Sequence, residues 1–348
     1  MAQQQISQPP ITSVEELEER LSRPTPEVVQ LFQQLQGDLL VLGVGGKMGP
    51  TLARMARRAM DEAGNTAKVI GVARFSQPEV RERLEQAGVQ TVACDLLDAD
   101  AVNDLPDAPN VVFMAGMKFG TTGAEPLTWA MNTIAPAYVA NRFRRSRLVV
   151  FSTGNVYPLV PVASGGATEE TPPAPIGEYA QSALGRERVF EYFSARYATP
   201  MVIYRLNYAV ELRYGIILDV AQKVWAGEPV PLAMGCVNVI WQGDACAWAL
   251  RCLHLAQSPP LVLNATGPET LSIRYLAYRL GELMGKEPRF EGVEAETALL
   301  SNAGRAHRLF GYPTVAVDTV IQWVAYWVMQ GLPTLSKPTH YEVRDGRF

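Results

Sequence analysis

Three glycines, Gly43, Gly46 and Gly49, recur at every third position in LGVGGKMGPTLARM, between an apolar run and a helical pattern. A tight turn after a strand needs glycine at the first position. Close approach of a pyrophosphate to backbone N–H groups favours it at the second, and tight helix–strand packing at the third. The helix that follows turns its partly positive N-terminus toward the anion. The loop is therefore expected to bind a dinucleotide, with Lys47 and Met48 lining it; the alternative is a plain tight turn. A second apolar run ends in GVARFS, where Ala73 stands in place of the acid that would hold the adenosine ribose, and Arg74 follows. Loss of an acid and gain of a cation suit a 2′-phosphate, so NADP is expected in preference to NAD. The alternative is a surface arginine, with NAD held through other contacts. Asp95, ending a third run in CDLLD beside Leu96, is expected either to meet the adenine amino group or to cap its own loop.

The stretch YAQSALGRER carries a different chemistry. Tyr179 is a candidate for proton transfer, but a phenol with a pKa of about 10 is only about one-thousandth ionised at pH 7. A neighbouring cation is needed, and the residue four positions on is Ala183.

The elements that must position these residues alternate. DLLVLGVGG, AKVIGVAR, VQTVACD, NVVFMAG and RLVVFSTG read as buried strands, and helical patterns separate them. This order predicts a doubly wound parallel α/β sheet of Rossmann type, with ligand at the strand C-termini. Two helices precede it. TSVEELEERLSR shows a capping box of Ser13 with Glu16, and TPEVVQLFQQLQG shows Thr25 as cap, Pro26 at the first helical position and Gly37 as stop. The expected division is a helical arm over 1–37 with a disordered lead over 1–11, a dinucleotide-binding domain over 38–200, and a smaller, interleaved substrate lobe with its tail over 201–348.

The 348 residues are 48% hydrophobic and carry a net charge of −4 with mixed signs, which argues against nucleic acid or an anionic membrane as partner. Four cysteines without a CxxC pair fit a reduced, cytoplasmic protein, and three dispersed histidines argue against a metal site. The polar N-terminus has no apolar signal core, and TVIQWVAYWVMQ is too short to span a bilayer.

Six segments in order along the chain, GVGGKMG, AGMKFGTTGAEPLTWAMNT, FSTGNVYP, YRLNYAV, GDACAWAL and RAHRLFGYP, resemble motifs of the extended short-chain dehydrogenases/reductases, also called NAD-dependent epimerase/dehydratases. The resemblance runs from about residue 38 to about residue 328. It implies an oxidoreductase or epimerase that exchanges hydride with nicotinamide on a sugar, nucleotide-sugar or sugar acid. It further implies Tyr179 as proton shuttle, Thr153 bonded to the reacting oxygen, Asn132 bracing the local helix, and Asn207 touching substrate. Ala115, Gly116 and Lys118 would lie along the cofactor. Members carry a lysine where this chain has Ala183, so Lys118 and Arg186 are the candidate replacements. The alternative is a dinucleotide-binding sensor or scaffold that has lost its reaction. Gly154 and Asn155 replace the Asp–Glu pair of the dehydratase branch, which disfavours dehydration. Arg213 in ELRYG is placed to hold a substrate carboxylate or phosphate, or to be merely solvated. A homodimer through the helices bearing Asn132 and Tyr179 is expected.

Overall fold

The computed structural model describes residues 9–118 and 123–347. Most of the expected polar lead and part of the AGMKFGTTG segment lie outside them. Seven parallel strands form the central sheet. In chain order they are Leu39–Leu42, Val69–Ala73, Gln90–Ala93, Asn110–Phe113, Arg147–Thr153, Met201–Leu206 and Leu261–Ala265. Across the sheet the order is seventh, sixth, fifth, fourth, first, second, third. Strand direction of growth reverses between the first and fourth strands, where Leu42 pairs with Phe113. That reversal opens a crevice beyond their C-terminal ends.

The apolar runs are continuous because helices cover both faces. Leu39, Val41, Val112 and Val149 face one layer, built from Phe32, Met55, Met60 and Trp248. Leu40, Leu42, Val111 and Val150 face the other, built from Val102, Val139, Phe143 and Phe190. A third cluster forms the C-terminal lobe, where helices Ile216–Ala226, Ile273–Met284 and Val317–Met329 bury Val220, Leu276, Leu280, Trp323 and Trp327. The sheet takes its last two strands from beyond residue 200, so lobe and sheet are interleaved. LVLNA, the seventh strand, carried too short an apolar run to be read as one.

The first helix spans Val14–Leu21, with the Ser13 hydroxyl accepting from Glu16 N. The Glu16 carboxylate bonds Thr12 N (2.9 Å), one residue before the position a standard box would use. Leu17 and Leu21 join the lobe core, and Ile11 is fully buried with them. The expectation of disorder through residue 11 therefore fails at its end: Pro9 O accepts from Trp323 Nε1 (3.1 Å), and an apolar side chain at 11 is drawn out of water. The second helix, Pro26–Gln34, starts on Pro26 but takes no cap bond from Thr25, and it ends before Gly37 because Leu35 turns into the core. Among the described residues no helix is long and apolar enough to cross a membrane.

Candidate functional site

The glycine loop leaves the first strand at the crevice. Gly43 has φ +87°, and a Cβ there would lie 2.6 Å from Ala115 N, so the loop and the end of the fourth strand touch backbone to backbone. A Cβ on Gly49 would lie 2.3 Å from Val44 O. Gly46 has no such obstruction; its Cβ would meet only Gly43 O at 3.4 Å. The second glycine is thus dispensable for packing and leaves its face open, as approach by a ligand requires. Helix Gly49–Glu62 begins without a side-chain cap at Met48, so its first N–H groups point into the crevice mouth unsatisfied by side chains. Loop, small residues and bare helix end fit a pyrophosphate.

The strand ends expected around an adenosine also gather here. Ala73 closes the second strand against Gly45, whose Cβ would be 3.2 Å away, and Arg74 is exposed just beyond. Asp95 spends one carboxylate oxygen on Leu97 N (3.0 Å), which makes it a cap of its own loop; Leu96 is buried beside it.

Two lysines enter the crevice from opposite sides. Lys47 Nζ sits 3.3 Å from the centroid of the Tyr214 ring. Burial, then repulsion by Lys118 and Lys337, pushes its pKa down to about 7, while Asp219 and Glu211 oppose. Lys118 Nζ lies 5.9 Å from the Tyr179 ring and 5.7 Å from the Tyr208 ring. Burial lowers it to about 8, with Asp219 opposing.

Tyr179 lies in the first turn of helix Gly177–Tyr197 and is buried against the end of the fifth strand. Its phenol bonds Thr153, whose hydroxyl is also tied to Asn155, as donor to Oδ1 (3.0 Å) and acceptor from N (3.2 Å). Burial raises the Tyr179 pKa; Arg186 and the Thr153 bond work against that rise. Asn132 stands in a π-helical turn, Ala130–Ile134, that interrupts the helix between Glu125 and Arg142. Such turns often sit at functional sites. The extra residue aims its amide inward. Nδ2 donates to Ser182 Oγ (2.9 Å) and Met117 O (3.2 Å), and Oδ1 accepts from Met117 N (3.1 Å) and from Arg186. Ala183 is fully buried among Val156 and Tyr157 neighbours of the lobe core, so the position faces apolar packing.

A bidentate pair fixes that helix to the sheet. Arg205 on the sixth strand donates to both oxygens of Glu187 (2.9 and 2.6 Å) and to Tyr157 Oη (2.7 Å). Ser152 bonds Glu187 as well.

On the substrate side, Asn207 is buried beside Gly154 and Ser301, and its Nδ2 has no hydrogen-bond partner among the described residues. Arg213 is not available as an anion clamp. It is engaged by Glu211 (3.1 Å) and Glu18 (3.2 Å), so two carboxylates of the chain already neutralise it. Sequence reasoning did not place Tyr208, Tyr214 and Asp219 here; their only signal was the density of aromatic and charged residues through NYAVELRYG and IILD. The C-terminal tail, expected from its polar and aromatic composition as an ordered arm at the lobe interface, is seated on the same rim. Thr339 bonds Asp219 through N (2.8 Å) and Oγ1, Arg344 bonds Thr297 and Ala233 O, and Gly346 packs against Ile176 and Gly177 at the start of the Tyr179 helix.

Residues 39–211 match the model of the NAD dependent epimerase/dehydratase family. No curated relative matches the sequence. Among solved structures, the chain resembles the UDP-glucose 4-epimerase of Thermotoga maritima with UDP-glucose, at 17% identity and TM-score 0.69, over 84% of this chain and 99% of that one. It resembles the UDP-glucuronic acid 4-epimerase of Bacillus cereus with UDP-glucuronic acid and NAD at 18% identity and TM-score 0.69, over 84% and 99%. The UDP-glucose 4-epimerase of Thermus thermophilus with NAD aligns at 20% identity and TM-score 0.67, over 83% and 98%. At these identities the likeness is one of fold.

Proposed function

Because this chain belongs to the NAD dependent epimerase/dehydratase family of enzymes, we propose that it epimerises or oxidises a nucleotide-sugar with a nicotinamide dinucleotide seated on the glycine loop. The observation that carries the reading is the convergence of Tyr179, Thr153 and Lys118 at the strand ends beside that loop. A bound nicotinamide dinucleotide would supply reversible hydride exchange at a carbinol carbon.

This chain's residues would do the rest. The Tyr179 phenolate takes the hydroxyl proton as the carbonyl forms and gives it back as the carbonyl is reduced, so no proton is gained or lost over the cycle. Thr153 would turn its hydroxyl proton from Asn155 Oδ1 to the same oxygen. The N–H groups at the start of helix Gly49–Glu62 hold the pyrophosphate, over a turn closed by Gly46 N donating to Gly43 O (3.1 Å), and Lys47 and Lys118 add charge to it. Asn207, with a spare amide donor, suits a substrate oxygen. Arg74, exposed at the end of the second strand, favours NADP over NAD. Leu127, Trp129, Ile134, Tyr192 and Tyr197 are exposed on the two helices that a homodimer would bury.

Ala183 favours a second reading, a dinucleotide-binding sensor. Titration with NAD, NADP and their reduced forms, followed by a UDP-sugar screen with Tyr179→Phe as control, separates the two. Turnover of any UDP-sugar that Tyr179→Phe abolishes supports the enzyme. Tight dinucleotide binding, with no turnover across the panel, supports the sensor. Arg74→Ala is expected to cost NADP roughly tenfold or more in affinity and NAD little; equal losses would remove the NADP preference.

A further inference from the structure

Arg186 is an expensive residue where it stands. It is buried, and a guanidinium cannot escape that cost by losing its proton. Among the described residues it forms no ion pair with a carboxylate. Its donors go to neutral acceptors, Phe151 O (2.9 Å) and Asn132 Oδ1, and its Nε has no hydrogen-bond partner there. The adjacent carboxylate, Glu187, is committed to Arg205 and Ser152. Burying a cation without a carboxylate partner of its own is costly, and the nearby Glu187 and Tyr179 offset only part of that cost.

The surroundings are nonetheless shaped to keep it. A Cβ on Gly116, just past the fourth strand, would lie 2.2 Å from Arg186 Nη2, so a side chain there would displace the guanidinium from this position. The π turn brings Asn132 to the same nitrogen. Long helical side chains lean back over the preceding turn, and the turn Arg186 covers holds Ser182 and Ala183. Seven residues before Arg186, on the same helix face, is the phenol of Tyr179.

We propose that Arg186 is the positioning residue for proton transfer: its buried positive charge stabilises the Tyr179 phenolate, from two turns along the helix, in place of a cation at position 183. The proposal deepens the reading of Tyr179 as proton acceptor and rests on it. Among the described residues, the groups facing Tyr179 include Thr153 from the fifth strand, Arg186 on its own helix, Lys118 from the fourth-strand loop, and Tyr208 and Tyr214 from the substrate side. Lys118 is the rival cation. It lies against the ring face, and its own pKa of about 8 removes its charge across the alkaline range where a phenol ionises. Burial lowers the Arg186 pKa too, with Tyr179 and Glu187 opposing, but from a starting value well above that of lysine, so its charge persists further into the alkaline range than that of Lys118.

The test reads Tyr179 directly, in the full chain without cofactor or substrate, by NMR of ring-labelled tyrosine across an alkaline titration, with Tyr179→Phe assigning the signal. Arg186→Met is expected to raise the Tyr179 midpoint by at least about one pH unit, and Arg186→Lys to restore most of the shift. Lys118→Met is expected to leave it within about half a unit. An unchanged midpoint in folded Arg186→Met overturns the proposal. So does a shift of a unit or more in Lys118→Met, which also decides the matter if Arg186→Met does not fold. The pH–rate limb of kcat should move with the NMR midpoint. If the midpoint moves but Tyr179→Phe leaves turnover intact, the electrostatic role of Arg186 stands and the proposed function falls.

Discussion

Raising the pH from 7 to 9 should weaken dinucleotide binding by orders of magnitude, and the crevice lysines set the size of the effect. With a pKa of about 7, Lys47 is about half charged at pH 7 and about one-hundredth charged at pH 9. Lys118, at about 8, falls from about nine-tenths to about one-tenth. A bound pyrophosphate that holds both lysines charged must restore those protons. The affinity then drops about 50-fold through Lys47 and about tenfold through Lys118, or about 500-fold together. At pH 8 the same linkage demands uptake of about 1.4 protons per dinucleotide bound. The two lysines repel one another, so the observable is the pair's combined titration. Calorimetry in buffers of different ionisation enthalpy measures the uptake, and Kd across the range measures the slope. Lys47→Met should flatten the dependence to about tenfold. In the ligand-free chain the sign reverses. The unfolded lysines bind more protons between pH 7 and about 10.5, so the native protein gains stability through that window relative to Lys47→Met. A Kd constant within about twofold from pH 7 to 9, with buffer-independent enthalpy, would refute the placement of both lysines at the anion.

Two further outcomes test the framework. Gly49→Ala sets a Cβ 2.3 Å from Val44 O, against backbone that has no room to yield. It should lower Tm by many degrees, consistent with a loss above about 2 kcal/mol, and abolish dinucleotide binding in whatever folds; Gly64→Ala, strained by a φ of +66° but with nothing within reach of the added carbon, should cost some stability and leave binding intact. Glu187→Gln breaks the bidentate pair with Arg205 and leaves that cation buried, so urea denaturation should show a loss of about 3–5 kcal/mol; a loss under 1 kcal/mol would mean that the pair does not fasten the Tyr179 helix to the sheet.

Local pattern alone was enough for the framework of this protein. Apolar runs alternating with capped helical periods dictate a parallel sheet with covering helices, and glycines spaced as Gly43, Gly46 and Gly49 dictate where a tight turn must lead from the first strand into the next helix. Those constraints act over a few residues, so they can be read one segment at a time. The charges of the site were decided elsewhere. Arg213 is neutralised by Glu18, 195 positions away, and no local pattern pairs them. The C-terminal tail reaches Asp219 across 120 positions. Ala183 reads as a missing cation in the sequence, yet it packs in an apolar cluster, while Arg186 enters the space that Gly116 and a π turn clear for it. Which cation meets which phenol depends on how strand ends and helices dock. Docking follows from burial summed over the whole chain, and it appears only once the chain is folded.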